Sequence, residues 1–381
     1  MEDRGLTEAG PPLHGLRVVE LARILAGPWA GQVLADLGAE VVKVESPGGD
    51  DTRGWGPPFV ENADGTRDAA YFHAANRGKS SVVADFRNAS DLARVVDLIR
   101  EADVVIENFK LGGLAQFGLD YATLAAINPR LIYCSITGFG HTGPYAARAG
   151  YDFIVQGMSG IMDLTGAPDG PPMKIGVAYA DILTGLYAVI AIQAALLQRG
   201  ETGRGQHIDL ALLDVMVGTL ANQAMNALVS GVSPTRMGNA HPNIVPYEAF
   251  PTSDGWLIIA CGNDAQFARL AALLGLPERE GWRTNAGRVA HRAAVSPAVA
   301  GATREWDRDA LLAALELEGI PAGPINSVAQ ALADPQIAAR GMVRDLGSGL
   351  RVIASPMRFS EMEIAEAQRS PGLGENSGSL G

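Results

Sequence analysis

The chain has 381 residues, 30 Lys and Arg against 42 Asp and Glu, a formal net charge of −12, and 47% hydrophobic residues. That length holds one large or two ordinary domains, the apolar share supplies a core and excludes a disordered chain, and the negative balance argues against a surface built for nucleic acid or anionic membrane while leaving room for one basic pocket. Two cysteines, Cys134 and Cys261, exclude a disulfide scaffold and a cysteine-rich zinc module, and six histidines without HExxH or HxH spacing give no reason to expect a metal.

Met1 to Leu13 is polar and lacks a basic start followed by an apolar run, so it is not read as a signal peptide. Leu16–Ala22, rich in Val, predicts a first strand. Pro28–Leu37 has helical spacing and stops at Gly38. Glu40–Glu45 and Ser80–Asp85 predict the next strands, and Ser90 an N-cap for a helix over Asp91–Glu101. Val104–Asn108 and Leu131–Ile136 predict two more strands, with a helix from Tyr121 to Ile127 between them. Strands separated by helices predict the α/β class and a mostly parallel sheet, whose ligands meet the carboxyl ends of the strands. Those ends are Arg23–Pro28, Ser46–Trp55, Phe86–Asn88, Asn108–Gly113 and Thr137–Gly143, all rich in Gly, Pro and polar residues. Gly27 and Gly31 after the first strand do not make GxGxxG, and no GxxxxGK[ST] occurs. A Rossmann-like sheet without a nicotinamide or flavin cofactor is expected.

Ile182–Gln198 is the longest apolar stretch. It contains Thr184, Gly185 and Gln193 and is headed by Asp181, so it reads as a buried helix rather than a membrane span. A soluble, cytoplasmic protein without membrane partners is expected. Ile208–Leu228 predicts a second helical stretch after the turn Arg199–Gly205. Phe250–Cys261 predicts a hairpin around Asp254–Gly255, and Ala265–Leu274 and Arg308–Leu317 predict helices. Residues 221–329 are read as a smaller α+β domain with its linkers, and 1–220 with 330–381 as the large one. Leu350–Ile364 predicts short strand-like runs, and Pro371–Gly381 a loose tail.

Asp181 is the one charge between Lys174 and Arg199. A lone acid before an apolar helix can be a cap, accepting from free N–H groups and favoured by the dipole. It can also be a nucleophile, oriented by the helix end and stripped of water, poised to attack an activated carbonyl.

The stretches ELARILAGPWAGQVLADLGAEVVKVESPGGDDTRGW, NRGKSSVVADF, ADVVIENF, GYDFIVQGMSG, the Asp181 segment, TGRGQHIDLALLD and GIPAGPIN together resemble the class III CoA-transferase family, from about His14 to Glu375. That family includes formyl-CoA:oxalate and carnitine CoA-transferases and the related α-methylacyl-CoA racemases. The resemblance implies coenzyme A as acyl-CoA substrate and product, a free carboxylic acid as acceptor, and Asp181 as nucleophile. The implied course runs through an aspartyl mixed anhydride and an aspartyl-CoA thioester. It also implies an interlocked homodimer, with the active site between domains. By position it assigns CoA contacts to Leu25, Ala26, Ala84–Arg87, Asn108, Phe109, Lys110, Tyr151 and Asp152, with Arg53, Lys79, Arg87 and Lys110 as partners for the phosphates. Gly238, Asn239 and His241, in the loop Gly238–Pro242, are candidate lid or acceptor contacts.

Where the formyl-CoA members carry Gln and two Arg, this chain has Leu25, Ser46 and Gln116. The short RMGNAHPNIVPY loop resembles members that use dicarboxylates, so succinyl-CoA is the donor to expect. A racemase of the same family is the competing reading. It needs two opposed acid–base groups, and here Tyr151 stands where its His would be, with Asp264 near the position of its Glu. A non-catalytic CoA-binding protein is the reading outside enzymes. Trp55 could stack on the adenine or line the acyl pocket, and His207, Cys134 and Cys261 read as packing residues.

Overall fold

In the computed structural model, residues 10–62, 64–347 and 349–378 are described. Residues 1–9 of the polar start and 379–381 of the expected tail lie outside them. The chain forms two compact units. One takes the chain up to Ile161, Lys174–Val229 and Pro335 onward; the other takes Met162–Met173 and Ser230–Asp334.

The first unit holds a six-stranded sheet of β1 (Arg17–Glu20), β2 (Glu40–Glu45), β3 (Ser80–Val83), β4 (Val104–Glu107), β5 (Ile132–Thr137) and β6 (His207–Ala211), in the order 3-2-1-4-5-6. All neighbours pair parallel. The central strands carry apolar residues on both faces because both faces are covered, with the acids Glu20 and Glu107 at the carboxyl ends of β1 and β4. Val18, Val104, Ile106 and Ile132 pack into one core, while Val19, Val105 and Tyr133 pack into the other. The chain order reverses between β1 and β4, so the crevice of a doubly wound sheet opens between their carboxyl ends.

The first unit's helices are α1 (Ala26–Asp36), α2 (Ala89–Arg100), α3 (Tyr121–Ile127), α4 (Asp152–Met158), α5 (Tyr179–Thr202), α6 (Leu212–Gly218) and α7 (Ala221–Ser230), besides shorter turns. The cap of α2 is Asn88 rather than Ser90: its Oδ1 accepts the N–H groups of Ser90 and Asp91. The stretch expected to be helical over Ile208–Leu228 begins instead as β6. The open edge of β5 offers hydrogen bonds to His207–Ala211, and over five residues apolar spacing does not distinguish helix from strand.

α5 has 24 residues and is long and apolar enough to cross a membrane. Here it is the crossover from β5 to β6. Because the strands are parallel, α1 and α5 both run antiparallel to them, and both N-termini lie at the sheet's carboxyl edge. The two helices touch closely. A Cβ on Gly185 would sit 2.7 Å from the Ala26 carbonyl oxygen and 3.1 Å from the Trp29 side chain. Asp181 lies one turn earlier on the same face of α5.

The expected loose tail is instead stitched to the sheet over its described part. Gly374 N donates to Ser81 Oγ at 2.9 Å, Ser81 N to Asn376 Oδ1 at 3.0 Å, and Val83 N to Ser377 Oγ at 3.1 Å. These bonds cover the free edge of β3.

In the second unit β7 (Tyr247–Pro251), β8 (Trp256–Ala260) and β9 (Ala322–Pro324) form an antiparallel sheet. It packs with α8 (Asp264–Leu273), α9 (Asn285–Ala290), α10 (Arg292–Thr303) and α11 (Arg308–Leu317) around Phe250, Leu257, Phe267 and Leu311.

Candidate active site

A chain of buried charges underlies the carboxyl edge. Lys43 Nζ donates to Glu20 Oε1 at 3.0 Å and to the Ala22 carbonyl at 2.9 Å, and lies 2.9 Å from Asp50 Oδ2. Lys79 Nζ donates to Glu20 Oε2, the Pro28 carbonyl and Asn76 Oδ1 at 2.7, 2.8 and 3.0 Å. α1 passes this cluster at Gly31, where a Cβ would meet the Glu20 carboxylate at 1.9 Å. Arg53 forks onto Glu45 at 2.8 and 2.7 Å and reaches Asp68 at 2.9 Å.

Arg53 and Lys79, expected to meet CoA phosphates, are therefore corrected: both are buried and fully engaged with carboxylates and carbonyls. A cation taken out of water needs such partners, and the acids that supply them come from β1, β2 and the loops beyond.

Asp50, itself buried, carries the cluster to the loop after β1. Its carboxylate accepts from Thr52 N at 3.0 Å, Thr52 Oγ at 2.8 Å and Ile24 N at 3.2 Å. Ile24 has φ 71° and, with Ala221, is one of two non-glycine residues at positive φ among the described residues. Leu25 and Ala26 follow it, buried, at the start of α1, which no side chain caps. On the other side of the crevice Asn108 uses its whole amide on Arg23, accepting its N–H and donating to its carbonyl.

A cavity of about 290 Å³ opens beside this turn, lined by Arg23, Ser46, Ala84, Arg87, Phe109 and others. It gathers Ala84, Arg87 and Phe109 of the predicted contacts. Arg87 is exposed and 3.3 Å from Asp85, and Arg23, which sequence reasoning did not single out, is exposed and 3.0 Å from Asp51. Lys110 is exposed and lines a neighbouring cavity of about 320 Å³ with His141 and His207. His207 packs there as expected, stacked on Tyr121 with its Nε2 2.9 Å from Ser135 Oγ.

Asp181 is half-buried in the first turn of α5. Burial, and then the neighbouring Asp152 carboxylate, raise its pKa to about 7. Desolvation and like charge thus outweigh the helix dipole, which favours the ionised form. Asp152, the first residue of α4, caps α5 from outside: its Oδ1 accepts Ala180 N at 2.8 Å. Its Oδ2 accepts Gln156 Nε2 at 2.8 Å, and the buried Gln156 accepts Ile175 N at 2.9 Å through Oε1. This relay fixes both ends of the loop that presents Asp181. Tyr151, beside it, has its side chain largely exposed. Tyr71, missed from sequence, stands edge-on to Trp55 at 5.3 Å. Its pKa is raised by burial and then by the charges of Asp181, Asp152 and Asp50, which brings those carboxylates within electrostatic reach of one phenol. A basic, poorly hydrated carboxylate beside an uncapped helix N-terminus can attack an electrophilic carbonyl and have its oxyanion met by backbone N–H groups.

Gly238, Asn239 and His241 lie in the second unit. Gly238 N donates to the Gly166 carbonyl at 3.1 Å, and His241 Nδ1 accepts Asn243 N at 3.1 Å, so Nε2 bears the proton of the neutral ring. Asp264 is held at 2.8 Å by Arg288, whose side chain is fully buried. Among the described residues no group of three or more His, Cys, Asp and Glu is arranged to hold a metal ion.

The description that fits residues 13–377 is CoA-transferase family III. The succinate–glutarate CoA-transferase of Agrobacterium fabrum is 58% identical, over 96% of this chain and 94% of that protein. The succinyl-CoA:glutarate CoA-transferase of Mus musculus is 42% identical, over 96% and 84%. The crystal structure of a CAIB/BAIF family protein from Brucella suis superposes with a TM-score of 0.90 at 62% identity, over 98% and 99% of the two chains.

Proposed function

The chain belongs to CoA-transferase family III, and from that premise we propose that it moves CoA from succinyl-CoA to glutarate or a closely related small dicarboxylate. The reaction rests on one observation: Asp181 is presented half-buried at the sheet's carboxyl edge, with its carboxyl group made basic by burial and by Asp152. The substrate pair is that of the relatives at 58% and 42% identity, the succinate–glutarate and succinyl-CoA:glutarate CoA-transferases.

An Asp181 oxygen attacks the thioester carbonyl carbon. The C–S bond breaks, and CoA thiolate leaves a mixed anhydride behind. The thiolate attacks the Asp181 carbonyl carbon, forming an aspartyl-CoA thioester and releasing succinate. A glutarate oxygen then attacks that thioester and expels the thiolate, which attacks the glutaryl carbonyl of the second anhydride. Glutaryl-CoA leaves and the Asp181 carboxylate is restored. The N–H groups at the start of α1, from Leu25 and Ala26, are suited to the oxyanions of each step. The cavity at Phe109 suits the nucleotide end of CoA, with Arg23, Arg87 and Lys110 as cations for its phosphates. Gly238, Asn239 and His241 remain proposed acyl or acceptor contacts, His241 through its Nε2 proton.

An apolar face supports a homodimer. Ile190 and Leu197 of α5 are 61% and 78% exposed, and Phe153 of α4 and Leu228 of α7 are exposed as well. Exposed apolar side chains on these helices suit burial against a second copy. Both cysteines are free and buried, which suits the cytoplasm.

A donor–acceptor matrix read by chromatography tests the function. Succinyl-CoA, acetyl-CoA and formyl-CoA are each offered glutarate, succinate, mesaconate and oxalate. Glutaryl-CoA from succinyl-CoA and glutarate is the expected product, and transfer confined to formyl or oxalyl groups overturns the substrate assignment. Hydroxylamine added with succinyl-CoA should leave a modified Asp181, found by mass spectrometry; an unmodified Asp181 in an active enzyme overturns the mechanism.

A further inference from the structure

Ile24 is a strained residue at the entrance to α1. A β-branched side chain at φ 71° crowds its own backbone, and such outliers persist only where the surroundings hold them. The holding group is identifiable. Ile24 N–H points between the two oxygens of Asp50, at 3.2 and 3.4 Å. Asp50 cannot swing away. Its own N–H donates to Glu45 Oε2 at 2.9 Å, Lys43 Nζ lies 2.9 Å from Oδ2, and Thr52 holds Oδ1 from both its N–H and its hydroxyl. Lys43 is in turn fixed by Glu20 and the Ala22 carbonyl, the latter two residues before Ile24. The buried ion cluster thus grips the loop between β1 and α1 at the Ala22 carbonyl and at the N–H of the strained residue itself.

That loop decides where the first N–H groups of α1 point. α1 and α5 meet at Gly185 and Ala26 with their N-termini at the same edge, so the turn Ile24–Leu25 faces the end of α5 that bears Asp181. We propose that Asp50 is a positioning residue for catalysis: by holding Ile24 in the left-handed region it aims the Leu25 and Ala26 N–H groups at the oxyanions formed on Asp181. This rests on the transferase reading for its chemistry, and on the loop geometry alone for its structural half. Asp50 lines the wall of the Phe109 cavity with its carboxylate buried, and that carboxylate acts through Ile24.

The test is a double-mutant cycle of Asp50→Asn and Ile24→Gly in the full chain, with kcat and KM for succinyl-CoA measured beside thermal melts. Glycine adopts positive φ without a holding group. Asp50→Asn is therefore expected to cut kcat about 30-fold with Ile24 present and no more than about 3-fold in the Ile24→Gly background, KM moving less than kcat. Equal losses in both backgrounds overturn the proposal, as does a loss that follows the melting temperature alone. Where Asp50→Asn does not fold, Thr52→Val enters the same cycle, since it loosens Oδ1 and keeps the ion pair with Lys43. A crystal structure of whichever variant folds supplies the readout independent of substrate. Ile24 moving to negative φ is expected, and Ile24 remaining in the left-handed region overturns the proposal even if the acceptor is not a dicarboxylate. Absence of transfer by the wild-type chain overturns the function instead.

Discussion

Asn108 holds Arg23 from both sides: the Arg23 N–H donates to Asn108 Oδ1 at 2.9 Å, and Asn108 Nδ2 donates back to the Arg23 carbonyl at 2.7 Å. The pair ties the end of β4 to the end of β1 across the crevice. Asn108 was expected to touch CoA; its amide is spent on the scaffold that shapes the pocket. Asn108→Ala is therefore expected to raise KM for acyl-CoA about 10-fold with a smaller change in kcat, and to lower stability by about 1–2 kcal/mol. Steady-state kinetics and denaturant melts check both numbers.

Asp181→Asn should abolish transfer and yet stabilise the protein at alkaline pH. The folded pKa is raised from 3.8 to about 7, so the folded state favours the protonated acid. Its favourable contribution is complete below about pH 4 and is lost as pH rises through 7. Removing the charge recovers about 2 kcal/mol at pH 8, allowing for solvent screening, and little at pH 4. Urea melts at the two pH values measure the difference; an equal effect at both contradicts the assignment.

The same carboxyl group should set the acid limb of activity. Attack needs the ionised form, so kcat/KM is expected to rise with pH and level off above about 7. Asp152→Asn removes the repelling charge and should move that limb about 0.5–1 unit lower, with some loss of rate because the relay through Gln156 is broken. A pH–rate profile of the two proteins decides it, and an unmoved limb separates Asp152 from the titration.

Cations that look alike in sequence should behave in opposite ways. Lys79→Met leaves Glu20 short of one partner in a buried cluster and is expected to cost about 3–5 kcal/mol of stability. Arg87→Ala should leave the melt unchanged, raise KM for acyl-CoA about 3–10-fold and flatten its dependence on salt. Melting curves and KM at two ionic strengths distinguish them.

The parallel sheet was legible because Leu16–Ala22, Glu40–Glu45 and Val104–Asn108 are short Val-rich runs separated by helical spacing, although Glu20, Lys43, Glu45 and Glu107 within them are charged and buried. The helices at Tyr121–Ile127 and Arg308–Leu317 fall where their spacing puts them. Helices α9 and α10 escaped notice because Gly287, Pro297 and Gly301 interrupt their apolar pattern. Asp181 announced itself as a lone acid heading an apolar helix. Tyr71, Gln156 and Asp50 did not, since their roles arise from contacts with residues distant in sequence. Arg53 and Lys79, assigned to the phosphates by position in the family resemblance, are instead spent on acids distant in sequence, Glu45 and Asp68 for one and Glu20 for the other.

The bonds from Gly374, Asn376 and Ser377 to β3 join these residues to a strand made almost three hundred residues earlier. During synthesis the edge of that strand stays bare until Gly374–Ser377 have been made and have cleared the ribosome. The nascent chain carries an open hydrogen-bonding ladder for most of its translation, and a stop codon placed before Gly374 would make that transient hazard permanent.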